Sequence, residues 1–73
     1  MARKIYVLDS EPEGGFLSQD YLTFARDEPA FTAAMRRVEK FDEGQVRVSR
    51  GGDVIGYAIK YRGQPAYVER CED

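Results

Sequence analysis

VRVSRGGDVIGYAIKYRGQPAYVERC, residues 46–71, decides how this chain folds. Two glycine-containing breaks divide it into three short runs rich in β-branched and aromatic residues. Gly51-Gly52 suits a two-residue hairpin turn, because both positions must tolerate positive φ. That turn sets Arg50 opposite Asp53, Val48 opposite Ile55 and Val46 opposite Tyr57. Gly63-Gln64 reads as a second turn with glycine first. It sets Arg62 opposite Pro65, Tyr61 opposite Ala66, Lys60 opposite Tyr67 and Ile59 opposite Val68. Both registers collect Val46, Val48, Ile55, Tyr57, Ile59, Tyr61, Ala66 and Val68 on one face. Arg47, Ser49, Val54, Gly56, Ala58, Lys60, Tyr67, Glu69 and Cys71 fall on the other. A one-residue slip would exchange the two faces. Pro65 at the start of the last run marks an edge strand.

Upstream, DEPAFTAAMRRVEKFDEG (27–44) predicts a helix. Asp27 or Glu28 can cap it, and Pro29 fits its first turn, where a missing N–H costs nothing. Phe31, Ala34, Met35, Val38 and Phe41 form one apolar stripe. Lys40 complements the dipole at the last turn, and Gly44 stops the helix as the residue after the cap. The stripe belongs against the apolar face of the sheet, so Tyr57 and Tyr61 are expected beneath the helix and Tyr67 on the far side.

The N-terminal run RKIYVL (3–8) reads as a central strand, since neither face is polar. DSEPEGG (9–15) then breaks it with Pro12 and two glycines and reads as an acidic surface loop. Residues 16–26 carry two readings. Ser18 suits a helix cap, while Tyr, Thr and Phe favour a strand, and the reading leans to strand. The expected fold is therefore one α+β domain over residues 1–73. An antiparallel sheet of four to five strands packs on one amphipathic helix, in the order ββαβββ or βαβββ.

Composition narrows the chemistry. Histidine is absent, and so are the commonest general base and metal ligand. The single cysteine, Cys71, excludes an internal disulfide and suits a reducing cytoplasm. MARKIYVLDS holds only four consecutive apolar residues, too few for a signal peptide or membrane span. No phosphate-binding glycine pattern or metal spacing occurs. Neither an enzyme activity nor a cofactor or metal is expected.

Charge is uneven along the chain. Residues 9–28 set Asp9, Glu11, Glu13, Asp20, Asp27 and Glu28 against Arg26 alone, a net of −5. Residues 44–68 set Arg47, Arg50, Lys60 and Arg62 against Asp53 alone, a net of +3. The six carboxylates are candidate partner-binding residues, because spread carboxylates can imitate a phosphate backbone and occupy a cationic groove. Arg47, Lys60, Arg62 and Tyr67, around the small Gly56 and Ala58, are the alternative: a basic face that stacks and neutralises single-stranded nucleic acid. Gly56 and Ala58 are equally explained if residues 16–24 pack over them. A third possibility is a structural subunit pairing through the edge strand 65–71.

The run DEPAFTAAMRRVEKFDEGQVRVSRGGDVIGYAIKYRGQPAYVERC (27–71), one helix and a three-stranded meander behind an N-terminal strand, resembles small phage-encoded anti-CRISPR proteins acting on type I surveillance complexes. The resemblance lies in element order and size over about 45 residues. It departs from some members in being acidic where they present lysine-rich faces. It implies a stoichiometric inhibitor in the bacterial host cytoplasm that binds Cas subunits and blocks target DNA recognition. No binding residue is carried over by position.

Overall fold

The computed structural model describes residues 2–71. Strands β1 (Lys4–Pro12) and β2 (Ser18–Phe24) form a hairpin, and helix α1 (Asp27–Val38) follows. Strands β3 (Gly44–Arg50), β4 (Asp53–Lys60) and β5 (Tyr67–Arg70) complete the chain. The five strands make one antiparallel sheet in the order β2-β1-β3-β4-β5. The helix covers one face, giving a two-layer α+β fold of ββαβββ order. Tyr6, Leu8, Val46, Val48 and Ala58 of the sheet and Ala30, Phe31, Ala34 and Val38 of the helix form the core. Each large side chain buried there contributes about 1.5–3 kcal/mol before entropy is subtracted.

Residues 18–24 are a strand, and their burial alternates strictly. β1 runs further than expected. Asp9–Pro12 continue the strand, and Asp9 and Ser10 are buried. Pairing with β2 on one side and β3 on the other overrides the polar, turn-like composition of this stretch. Pro12 occupies the strand's last position, where a missing donor is tolerated.

The helix starts slightly earlier than expected and ends sooner. Arg26, in extended conformation, is the N-cap, and it makes no side-chain capping bond. Asp27 and Glu28 lie inside the first turn, where their charge favours the dipole. The helix stops at Val38, not at Gly44. The chain tightens there: Lys40 N–H donates to Arg37 O and Phe41 N–H to Val38 O, three residues back. Gly44 instead opens β3. The cation at this end is Lys60 of β4, whose Nζ donates to Phe41 O at 2.7 Å.

The face assignment of β4 is reversed from the expected one. Gly51 and Gly52 make the turn with positive φ, and Arg50 pairs with Asp53 as expected. A β-bulge then intervenes. Ser49 pairs with Val54 but Val48 pairs with Gly56, leaving Ile55 as the extra residue. Beyond it, Arg47 faces Tyr57 and Val46 faces Ala58. The second turn is displaced too: Gln64 N–H donates to Tyr61 O at 2.9 Å, so Arg62-Gly63 are its central residues. Tyr67 therefore pairs with Ile59, not Lys60, and Val68 with Ala58. The two displacements cancel. β3 and β5 keep their expected faces, while β4 alone turns Gly56 and Ala58 to the helix and Tyr57 and Ile59 away from it.

Gly56 and Ala58 are small because the helix lies over them, not residues 16–24. A Cβ on Gly56 would stand 2.7 Å from both Phe31 Cε1 and the Glu69 carbonyl oxygen. Gly56→Ala is thus an overpacking change and should cost about 1–3 kcal/mol in denaturant unfolding. An unchanged midpoint would mean that Phe31 does not press on Gly56.

Candidate functional site

Among the described residues, none forms a layer over the sheet face away from the helix. From the β2 edge inward it presents Gln19, Tyr21 and Thr23, then Ile5, Val7, Asp9 and Glu11, then Gln45, Arg47 and Ser49. Tyr57 and Ile59 of β4 and Tyr67 and Glu69 of β5 complete it. Tyr61 stands at its end, its ring centroid 6.4 Å from that of Tyr67. A polar band crosses the middle. Gln19 Nε2 donates to Asp9 Oδ1 at 2.8 Å, Arg47 Nη2 to Glu11 Oε2 at 2.7 Å and Gln45 Nε2 to Glu11 Oε1 at 2.8 Å. Tyrosines and aliphatic side chains flank the band on both sides. A shallow groove of about 420 Å³, lined by Glu11, Gln45, Arg47, Ile59 and Tyr61 among others, opens where the face meets the loops.

The six candidate carboxylates do not form one surface. Asp9 and Glu11 lie on the open face, Glu13 in the β1–β2 loop, and Asp20, Asp27 and Glu28 on the helix side. Each has a partner within the chain. Glu13 accepts from Arg62 Nη2 at 2.8 Å, Asp20 pairs with Arg37, and Glu28 lies 3.7 Å from Arg70. Arg70 in turn stacks 4.7 Å from the Phe31 ring centroid.

Asp27 is the most tightly held. Its Oδ1 accepts from the Tyr6 hydroxyl at 2.6 Å, and both its oxygens accept from Arg50 Nη1 at 2.7 Å. The bond from Tyr6 first, and that from Arg50 second, hold the Asp27 carboxyl below its usual value of 3.8. Burial, and then Asp27, push the Tyr6 hydroxyl above its usual 10.0.

The basic candidates are likewise dispersed. Arg47 and Tyr67 share the open face, but β4 lies between their strands. Lys60 points to the helix side and binds the carbonyls past the helix end. Arg62 sits in the β4–β5 loop on Glu13, which raises its pKa further. Tyr57, Ile59, Tyr21 and Val7 are the members of the face that sequence reading missed. The alternation of Gly56 and Ala58 with Tyr57 and Ile59 was the available signal, since the bulky Phe31 needs small side chains beneath it.

Among the described residues, no group of three or more Asp, Glu, Cys or His is placed to hold a metal ion. No helix among them is long and apolar enough to cross a membrane. No protein-family model, no curated protein and no solved structure matches the chain.

The Asp27 network sets a pH dependence. Its depressed pKa means that its stabilising effect is full above 3.8 and is lost as pH falls through the lower, folded value. Tyr6 acts oppositely: its contribution is full below 10.0 and lost as pH rises through its raised value. Asp27→Ala leaves the buried Tyr6 hydroxyl without its acceptor and should cost about 1–3 kcal/mol at neutral pH. Denaturation at a series of acidic pH values should show a weaker acid dependence in that variant. Equal acid dependence in the two proteins would exclude Asp27 as a source of it.

Proposed function

We propose that this chain is a non-enzymatic protein-binding inhibitor whose open sheet face contacts its partner. The observation that carries this reading is an uncovered face of tyrosines around a central band, Asp9, Glu11 and Arg47, whose members already have internal partners. Tyr57 and Tyr67 offer large, rigid, amphipathic contact area at low entropic cost, with a hydroxyl to satisfy polar groups opposite. Arg47 and Gln45 donate to Glu11 and Gln19 donates to Asp9, so this band demands little counter-charge from a partner. Binding through phosphate neutralisation needs cations free to replace counterions. Arg47, Lys60 and Arg62 are all engaged within the chain, so the geometry favours a protein over a nucleic acid. For the same reason it favours the tyrosine face over the six dispersed carboxylates.

In its specific form, the partner is a Cas subunit of a type I surveillance complex and the consequence is blocked target DNA recognition. The layout resemblance alone supports that form. Purified type I complex, immobilised and titrated with the chain, tests both levels. Tyr57→Ala with Tyr67→Ala should weaken capture at least about tenfold, as interface tyrosines commonly do. Reversal of Glu13 and Glu28 to lysine should change it little. No capture at all rejects the Cas partner. Capture lost on charge reversal but kept without the tyrosines rejects the face.

A further inference from the structure

We propose that two copies of this chain pair through β2, joining their sheets into one antiparallel sheet of ten strands. The two edges of the sheet differ in kind. β5 is four residues long, follows Pro65 closely and carries Glu69 and Arg70, the features that blunt an edge. β2 is seven residues long, Ser18–Phe24, and holds no proline, lysine or arginine. Its one charge, Asp20, turns to the helix side onto Arg37. The outer backbone groups of β2 therefore face solvent along an unprotected edge, with no strand beside them.

The exposed apolar surface gathers at the same edge. Among the described residues, the four most exposed large apolar side chains are Tyr21 (67%), Phe16 (64%), Leu17 (62%) and Ile5 (60%). Tyr21 is on β2, Phe16 and Leu17 lead into it, and Ile5 pairs with its Thr23. Such a concentration marks an interaction surface.

Self-complementarity selects the occupant. A two-fold axis at Tyr21 sets Tyr21 of one copy opposite Tyr21 of the other, Gln19 opposite Thr23, Asp20 opposite Leu22 and Ser18 opposite Phe24. No like charges meet, and the open-face pairs are aromatic or polar. Continued outward, this register sets Leu17 and Phe16 of one copy beside Ala25 and Arg26 of the other. There a shallow groove of about 450 Å³ is lined by Phe24, Pro29, Ala33 and Arg36. Arg26 and Arg36 make no ion pair with any described residue, whereas five other arginines do. Phe16 and Leu17 of each copy thus come against the apolar lining of the other's groove, twice by symmetry.

Sedimentation equilibrium of the full chain, from micromolar to millimolar concentration, tests this. The mass should rise from 8.3 kDa toward twice that value. Tyr21→Lys places two cations together at the axis and should weaken dimerisation at least about tenfold, with an unchanged circular dichroism spectrum. Phe16→Ser, a change at an exposed loop position, should weaken it too. Amide exchange in β2 should slow as concentration rises, while that in β5 stays constant. A monomer throughout the range overturns the proposal. So does a dimer that survives Tyr21→Lys and is lost with Tyr57→Ala, which would place the contact on the open face.

Discussion

The bulge at Ile55 governs the rest of the molecule. Phe31 can seat on β4 only over small side chains, and those are Gly56 and Ala58. Without the extra residue, Tyr57 would take the place opposite Val46, beneath α1. Ile55 would take Gly56's place opposite Val48, and the core has no volume for it, since Phe31 already stands where a Cβ on Gly56 would go. One inserted residue thus turns β4 over while β3 and β5 keep their faces. The carbonyl of Ile55 is not wasted, because Cys71 N–H donates to it at 3.0 Å. The tyrosine face and the close-packed helix layer are two outcomes of the same insertion.

The lopsided charge has a similar explanation inside the chain. The acidic segment is paired within the chain, in part by the basic segment: Glu11 with Arg47, Glu13 with Arg62 and Asp27 with Arg50, while Asp20 pairs with Arg37 and Glu28 with Arg70. Exposed pairs of this kind contribute only about 0–1 kcal/mol each. Their effect is to favour one arrangement of the strands and helix over others. Asp27 stands apart because it ties the first turn of the helix to a fully buried tyrosine in β1 and to the end of β3. Among the charges outside this pairing are Arg26 and Arg36, beside the open β2 edge.

Much of this fold could be read from the residues. The helix stripe announced Phe31, Ala34 and Val38 as core, and the Gly51-Gly52 turn placed Arg50 opposite Asp53. Both are local signals with a direct physical cause. The bulge was not legible in the same way. Val54, Ile55, Tyr57 and Ile59 are all good strand residues, and alternation alone cannot say which pair is turned inward. The extension of β1 through Asp9–Pro12 depended on two neighbouring strands, and only tertiary pairing supplies those. The open face was missed because the two large residues of β4 were read as core and its two small ones as surface.

The reversal of β4 is the claim on which the tyrosine face rests, and through-space proton contacts test it most directly. In a nuclear Overhauser spectrum the ring protons of Phe31 should reach the α-protons of Gly56, and no helix side chain should reach the ring of Tyr57. Contacts from Phe31 or Val38 to Tyr57 and Ile59 would contradict the account. They would restore the unbulged register and place the tyrosines in the core.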